Sequence, residues 1–143
     1  MTARGVAEML GGTKVLKREV RSDLDLADAV QGGLPTRAVE EVLRSGLFQP
    51  NELYEIVVPR RTLAHRKGKR QPLSPEQSDR LARLVRVAER AEEVLGNREK
   101  AARWLRKPNR ALQGKRPIGL LESDVGARMV ERALGRIEHG VYS

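Results

Sequence analysis

The five residues LSPEQ, positions 73 to 77, mark the sharpest structural boundary in this chain. Ser74 can accept a hydrogen bond from the backbone three residues on, and Pro75 suits a first helical position, where no donor is required. Gln77 can reach back to the cap, so two otherwise orphaned backbone donors are satisfied reciprocally. Beyond that start Leu81, Leu84, Val85, Ala88, Ala91, Val94 and Leu95 recur on one helical face, and Gly96 supplies a stop. The pattern predicts a helix over 75–95, with Asp79, Arg80, Arg83, Arg86, Glu89 and Arg90 on its solvent side. A helix of that length through the middle of 143 residues leaves room for short elements packed around it.

The composition says what those elements are. Hydrophobic residues make up 39% and are chiefly Leu, Val and Ala, a mixture that favours helices over sheets because these residues, Val apart, lose little freedom in a helix. An all-α fold follows. Bulk is scarce: there are one Trp, one Phe, two Tyr and three Met. Trp104, with Leu105 beside it, is therefore expected to be a buried structural hub that fixes the angle between its own helix and the last one.

The N-terminal third is harder to read. Residues 1 to 33 offer a short apolar piece at Val6 to Leu10, a glycine pair, and SDLDLADAV with Ser22 or Asp23 as cap. GGTK, at 11 to 14, lacks the earlier glycine and the following Ser or Thr of a phosphate loop, and reads as a turn. Thr36 is placed to cap a helix carrying Val39, Val42 and Leu43, with Gly46 at its end. Asn51 is placed to cap NELYEIV, which Pro59 stops. On the C-terminal side Asn97 caps a helix with Ala101, Ala102, Trp104 and Leu105, closed by Pro108. Asn109 then opens a short turn at RALQG. Ser123 or Asp124 caps a final helix whose apolar side carries Val125, Met129, Val130, Ala133, Leu134 and Ile137, with Gly140 at its end. The organisation expected is an N-terminal helical region over 1–73, a connecting helix over 74–96 and a small helical domain over 97–143.

Charge points to a partner. Lys and Arg total 28 against 19 Asp and Glu, a net +9 with a pI near 10.6. Such a balance favours nucleic acid or an acidic protein. The densest cluster is RRTLAHRKGKR, in which Arg60, Arg61, Arg66, Lys67, Lys69 and Arg70 have no acidic neighbour in sequence. It follows NELYEIV by one short turn at Val58 and Pro59, as in a helix-turn-helix whose second helix lies in the major groove. Arg60, Arg61, Thr62, His65 and Arg66 would then reach bases or phosphates, with Lys67, Lys69 and Arg70 adding phosphate contacts. A charged loop without a partner is the alternative, and six cations in a dozen residues favour nucleic acid.

Nothing in the chain reads as an enzyme, and no cofactor is implied. Cysteine is absent, which removes disulfides, thiolate metal sites and cysteine nucleophiles, and fits a cytoplasmic protein. His65 and His139 are far apart and without carboxylates at ligand spacing, so no metal site is expected. Glu92 and Glu93 are adjacent and point to different sides of a helix, and Ser78 and Ser123 lack a nearby base. The first residues contain Glu8 and two glycines where a signal peptide needs an apolar core, and no run has the length of a membrane span.

The C-terminal third, AEEVLGNREKAARWLRKPNRALQGKRPIGLLESDVGARMVERALGRIEHGVYS, resembles the toxin-binding domain of the Xre/MbcA/ParS antitoxin family. The likeness runs through Leu95 and Gly96, Ala101, Trp104, Leu105, Pro108, Asn109, Leu112, Gly114, Pro117, Leu121, Gly126, Val130, Leu134, Ile137, His139 and Gly140. Upstream, RRTLAHRKGKRQPLSPEQSDRLARL is similar to that family's Xre-like region. The resemblance implies the antitoxin of a type II toxin-antitoxin pair whose partner is a RES-domain toxin that consumes NAD. It implies a C-terminal part that obstructs the toxin's active site, and an N-terminal part that dimerises and binds operator DNA to repress its own operon. Carried onto these residues, Arg136, His139, Gly140, Val141 and Tyr142 would form the occluding group, and Arg106, Lys107, Arg110, Lys115 and Arg116 an electropositive rim. A stand-alone helix-turn-helix regulator, with the Trp104 region as a dimer interface, is the alternative function.

Overall fold

In the computed structural model, which describes residues 2–140, the fold is organised around one helix. That helix is α7, Pro75–Leu95, about 31 Å long. Its start is as the sequence reads: Ser74 Oγ accepts from the Gln77 N–H at 3.1 Å, and Gln77 Oε1 accepts from the Ser74 N–H at 2.9 Å. Gly96, at φ +99°, takes the left-handed conformation that releases the chain. The helices α1 (Ala3–Met9), α2 (Gly12–Leu16), α3 (Asp23–Gln31), α4 (Thr36–Arg44), α5 (Pro50–Ile56) and α6 (Arg60–Gly68) precede it. After it come α8 (Arg98–Arg106), two single turns of 3₁₀ helix at Arg110–Leu112 and Pro117–Leu120, and α9 (Asp124–Glu138). No strand occurs among the described residues, only an isolated antiparallel bridge between Asn109 and Lys115. The all-α expectation holds.

α7 packs against α1 and α3 on the N-terminal side of the chain and against α8 and α9 on the other, so a single core runs through the molecule. Leu81, Leu84, Val85, Val87, Ala88 and Ala91 are all buried on it. Because buried residues point to both of these neighbours, the apolar stripe is broader than one face, and Val87 belongs to it although the sequence pattern omitted it.

The charged side of α7 corrects the sequence reading. It is a contact surface, not a solvated one. The Nε and Nη2 of Arg80 donate to the Val57 carbonyl at 3.2 and 3.1 Å, and Arg86 donates to Glu131 Oε1 at 3.0 and 2.7 Å. Arg83 bonds Asp79 at 2.6 Å and the Glu122 carbonyl at 3.4 Å, and Arg90 grips both carboxylate oxygens of Glu138. Arg86 and Arg90, about one turn apart, thus align α9 along α7, and Arg83 holds the residue just before α9's cap. Arg90 holds the Glu138 carboxyl below the ordinary carboxylate range. Ser78 is fully buried and its Oγ accepts from the Leu34 N–H at 2.7 Å, which explains the serine as a tie between α7 and the α3–α4 connection.

Local caps were legible in most places. Ser22 accepts from Asp25 N–H, Asn97 from Lys100 N–H and Ser123 from Gly126 N–H, all at 2.8 to 3.1 Å. Two caps move by a residue or two. Pro35 stands at the cap of α4 and Thr36 is its first residue, without a side-chain cap bond, because proline's fixed φ already suits the extended cap geometry. α5 begins at Pro50 with Gln49 as cap, its backbone N–H bonded to Glu52 Oε1 at 2.6 Å, so Asn51 lies inside the helix. In α9 the buried face is Gly126, Ala127, Val130, Ala133 and Leu134, whereas Val125 is 69% exposed. The helix is rotated by its glycine: a side chain at Gly126 would collide with the Leu120 carbonyl, so backbone meets backbone there.

Glu89 is the one member of the charged side that finds no arginine. Its carboxylate lies over Gly5 in α1, bonded to the Thr2 backbone N–H, with Oε2 buried and unpartnered. Burial raises its pKa above the ordinary value, against the lowering effect of that hydrogen bond. The folded chain therefore holds the proton to higher pH than the unfolded chain, and stability falls as pH rises through that window. Glu89→Gln should raise the melting temperature at pH 7, with the gain shrinking as pH is lowered below the ordinary carboxylate range, as measured by circular dichroism melts across pH.

Candidate nucleic-acid and protein interfaces

Two exposed regions hold the residues singled out by sequence, and each is built differently. The first is the α5–α6 pair. Val57 and Val58, both 1% exposed, anchor the turn between the helices, and Arg80 from α7 binds the carbonyl of Val57, the C-cap of α5. Pro59 caps α6, which runs Arg60–Gly68 and buries no residue completely; Leu63 alone on it packs against the core. A helix pinned by one leucine presents nearly its whole surface outward.

Its cations divide into two groups. Arg60, Arg61, His65, Lys69 and Arg70 are exposed, and no anion pairs with them among the described residues. Arg66 folds back, its Nη1 donating to the Pro72 carbonyl at 2.7 Å, and Lys67 pairs with Glu40 of α4. Thr62 is half-buried. The cluster without acidic neighbours in sequence thus acquires one in the fold, because α4 packs beside α6.

The second region is the C-terminal unit. Asn109 Oδ1 accepts from Ala111 N–H at 2.9 Å, and its N–H donates to the Lys115 carbonyl at 3.0 Å. This closes a small loop that displays Arg110, Lys115 and Arg116, all exposed, with Lys107 exposed just before it. The turn Arg110–Leu112 packs on α9, and Pro117–Leu120 packs on both α8 and α9. Arg136, His139 and Gly140 are exposed at the end of α9. Val141 and Tyr142 lie outside the described residues.

Arg106 is not part of a free rim. Its Nε and Nη2 bond both carboxylate oxygens of Glu52 in α5, at 3.1 and 2.6 Å. Nη2 also donates to the Leu47 carbonyl at 2.7 Å, and Nη1 to the Ala102 carbonyl at 2.9 Å. The side chain is 27% exposed and that of Glu52 is 16% exposed. This half-buried fork ties α8 to the element that precedes the basic helix. Leu105 is fully buried, but Trp104 is only half-buried: one part of the ring packs on the core and another lines an open hollow. Among the described residues no group of His, Asp or Glu is arranged to hold a metal ion, and no helix is long and apolar enough to cross a membrane.

Comparison with known proteins meets this geometry at both regions. Residues 90–140 match the model of the antitoxin Xre/MbcA/ParS C-terminal toxin-binding domain, and residues 25–86 match that of the antitoxin Xre-like helix-turn-helix domain. Antitoxin Xre of Pseudomonas putida is 34% identical over 122 residues, spanning 85% of this chain and 76% of that protein. The chain belongs to the Xre/MbcA/ParS antitoxin family. Antitoxin Xre of Yersinia enterocolitica is 32% identical over 120 residues, 82% of this chain and 81% of its own length. A Sphingobium protein named Prs ADP-ribosylating antitoxin is 32% identical over 91 residues, 57% of each chain. The helix-turn-helix match spans α3 to the first half of α7, and the toxin-binding match spans the end of α7 to the end of α9, so this antitoxin's two matched segments meet on one helix.

Arg106→Met keeps the aliphatic packing and removes the fork. It should lower unfolding stability by about 1.5 to 3 kcal/mol, the range for hydrogen bonds to charged groups. Arg44→Met, which breaks the exposed pair with Glu41, should change it by less than about 1 kcal/mol. Urea denaturation of the two variants checks the contrast.

Proposed function

We propose that this antitoxin neutralises a RES-domain toxin, an enzyme that consumes NAD, by docking residues 97–140 over the toxin's active-site cleft. The observation that carries this reading is the state of the C-terminal unit before any partner arrives. Asn97, Asn109 and Ser123 cap their helices or turns, the apolar sides of α8 and α9 are packed on α7, and the basic loop is closed by its own hydrogen bonds. Binding then requires little ordering of the chain, and more of the interaction energy appears as affinity. The end of α9, with Arg136, His139 and Gly140, leads into Val141 and Tyr142, which would enter the cleft, while Lys107, Arg110, Lys115 and Arg116 meet acidic groups at its edge. The chain's role is to bind, and we assign it no catalysis and no cofactor.

The N-terminal part would act in parallel as a repressor of its own operon. Two copies in a homodimer would bring two α6 helices to successive half-sites of operator DNA, with Arg60, Arg61, Lys69 and Arg70 on phosphates and base edges and His65 beside them. Arg66 and Lys67 would contribute after release of the Pro72 and Glu40 contacts.

Co-expression with the toxin should yield a stable complex without NAD consumption, and full NAD consumption in that complex rejects the reading. Removing residues 140–143 should restore at least part of the toxin's activity; unchanged inhibition assigns the block to the folded face alone. Arg61→Ala and Arg70→Ala should each weaken operator binding about uniformly across sequences and reduce the salt slope by about 1, measured by gel shift at several ionic strengths. Parental affinity in both rejects α6 as the DNA contact.

A further inference from the structure

The toxin-binding face contains a feature that neither the basic loop nor the tail accounts for. Between the end of α7, the outer side of α8 and the α4–α5 connection lies an open hollow of about 830 Å³. Its walls are Leu95, Ala102, Trp104 and Pro108, with Gly46 and Gln49 on the far side. The tryptophan is the only one in the chain, and it stands with its ring partly uncovered at this spot. Leu105 on the same helix, by contrast, is turned fully inward.

Charge identifies what the hollow suits. Lys100, Arg103 and Lys107 line it, all three exposed, and among the described residues none of them has an anion partner. The fourth cation there, Arg106, is neutralised by Glu52 and holds the wall rigid through its bonds to the Leu47 and Ala102 carbonyls. The result is an apolar, preorganised depression inside a ring of three free positive charges. Its volume is that of a small ligand pocket, and an apolar wall around a partly buried Trp is the usual make-up of an interface anchor point.

We infer that this hollow receives a bulky apolar side chain from an acidic segment of the toxin, and that Trp104 is a direct contact residue as well as a packing one. The inference rests on the proposed function and assigns the main anchor of the complex to α8, apart from the tail that would enter the cleft. A protein segment fits better than single-stranded nucleic acid, because the apolar walls are aliphatic apart from the one ring of Trp104, whereas a stacking platform offers several aromatic faces along a groove that tracks the backbone. The surrounding cations would steer the encounter and make the affinity depend on salt.

The single tryptophan supplies the test. The full chain is labelled with 5-fluorotryptophan and titrated with the unlabelled RES-domain toxin from the same operon, following the one fluorine resonance. The resonance should shift on complex formation. The double variant Lys100→Glu, Arg103→Glu changes only exposed side chains that lie outside the proposed cleft-edge rim and should melt like the parent, bind the toxin at least about tenfold more weakly, and lose much of the salt dependence. A complex that forms with an unmoved resonance and parental affinity in the double variant overturns the inference while the proposed function stands. Failure of the parent to form any complex overturns the proposed function and the inference with it. A resonance that moves with antitoxin concentration alone, or with single-stranded DNA and not with toxin, gives the hollow to a second copy or to nucleic acid and equally overturns it.

Discussion

The two-sided packing of α7 holds α1, α3, α8 and α9 in place, and the other helices build outward from these. The Leu, Val and Ala residues of α7 are covered by α1 and α3 toward the N-terminus and by α8 and α9 toward the C-terminus, while Arg86 and Arg90 fasten α9 from the side and Arg80 holds the end of α5. Buried apolar area supplies most of the stabilisation, and it is indifferent to rotation or sliding of one helix on another. The directional bonds of Arg80, Arg86 and Arg90 set the register that hydrophobic burial leaves open. A chain with so little aromatic bulk depends on this, because small side chains interdigitate without strongly preferring one alignment.

Much of this was readable from residues whose signal is local. The Ser74, Pro75, Gln77 start, the Gly96 stop, and the caps at Ser22, Asn97 and Ser123 depend only on neighbours within four positions, and each appears in the structure as its spacing implies. The basic helix and its start after Pro59 were legible for the same reason. What escaped the sequence depends on distant partners. Arg86 looked like any exposed arginine until Glu131, 45 positions away, came alongside it, and Arg106 counted as a rim cation until Glu52 was found against it. Val125 occupied an apolar helical position and yet faces outward, because the close approach of Gly126 to Leu120 rotates α9. The short α2 was missed altogether: it begins after a left-handed Gly11 and carries no side-chain cap.

The candidate sites show the same division. Which residues are basic was plain, but which cations remain unpaired was decided by tertiary neighbours. Lys67 meets Glu40, Arg66 meets a backbone carbonyl, and Arg106 becomes a brace, whereas Lys100 and Arg103, unremarked in sequence, emerge as free charges around Trp104. A residue's availability for a partner is a property of the fold, and for this chain it altered the assignment at the very helix that carries the tryptophan.

The meeting of the two matched segments on α7 has a consequence for modularity. The N-terminal match ends at residue 86 and the C-terminal match begins at 90, so the seam falls inside a continuous helix whose residues on both sides belong to one core. A chain that joined the front of one such protein to the back of another would lose stability unless it kept the complementarity of Arg86 with Glu131 and of Arg106 with Glu52. The two matched halves are therefore not independent modules: their exchange between such chains is constrained by contacts that cross the seam.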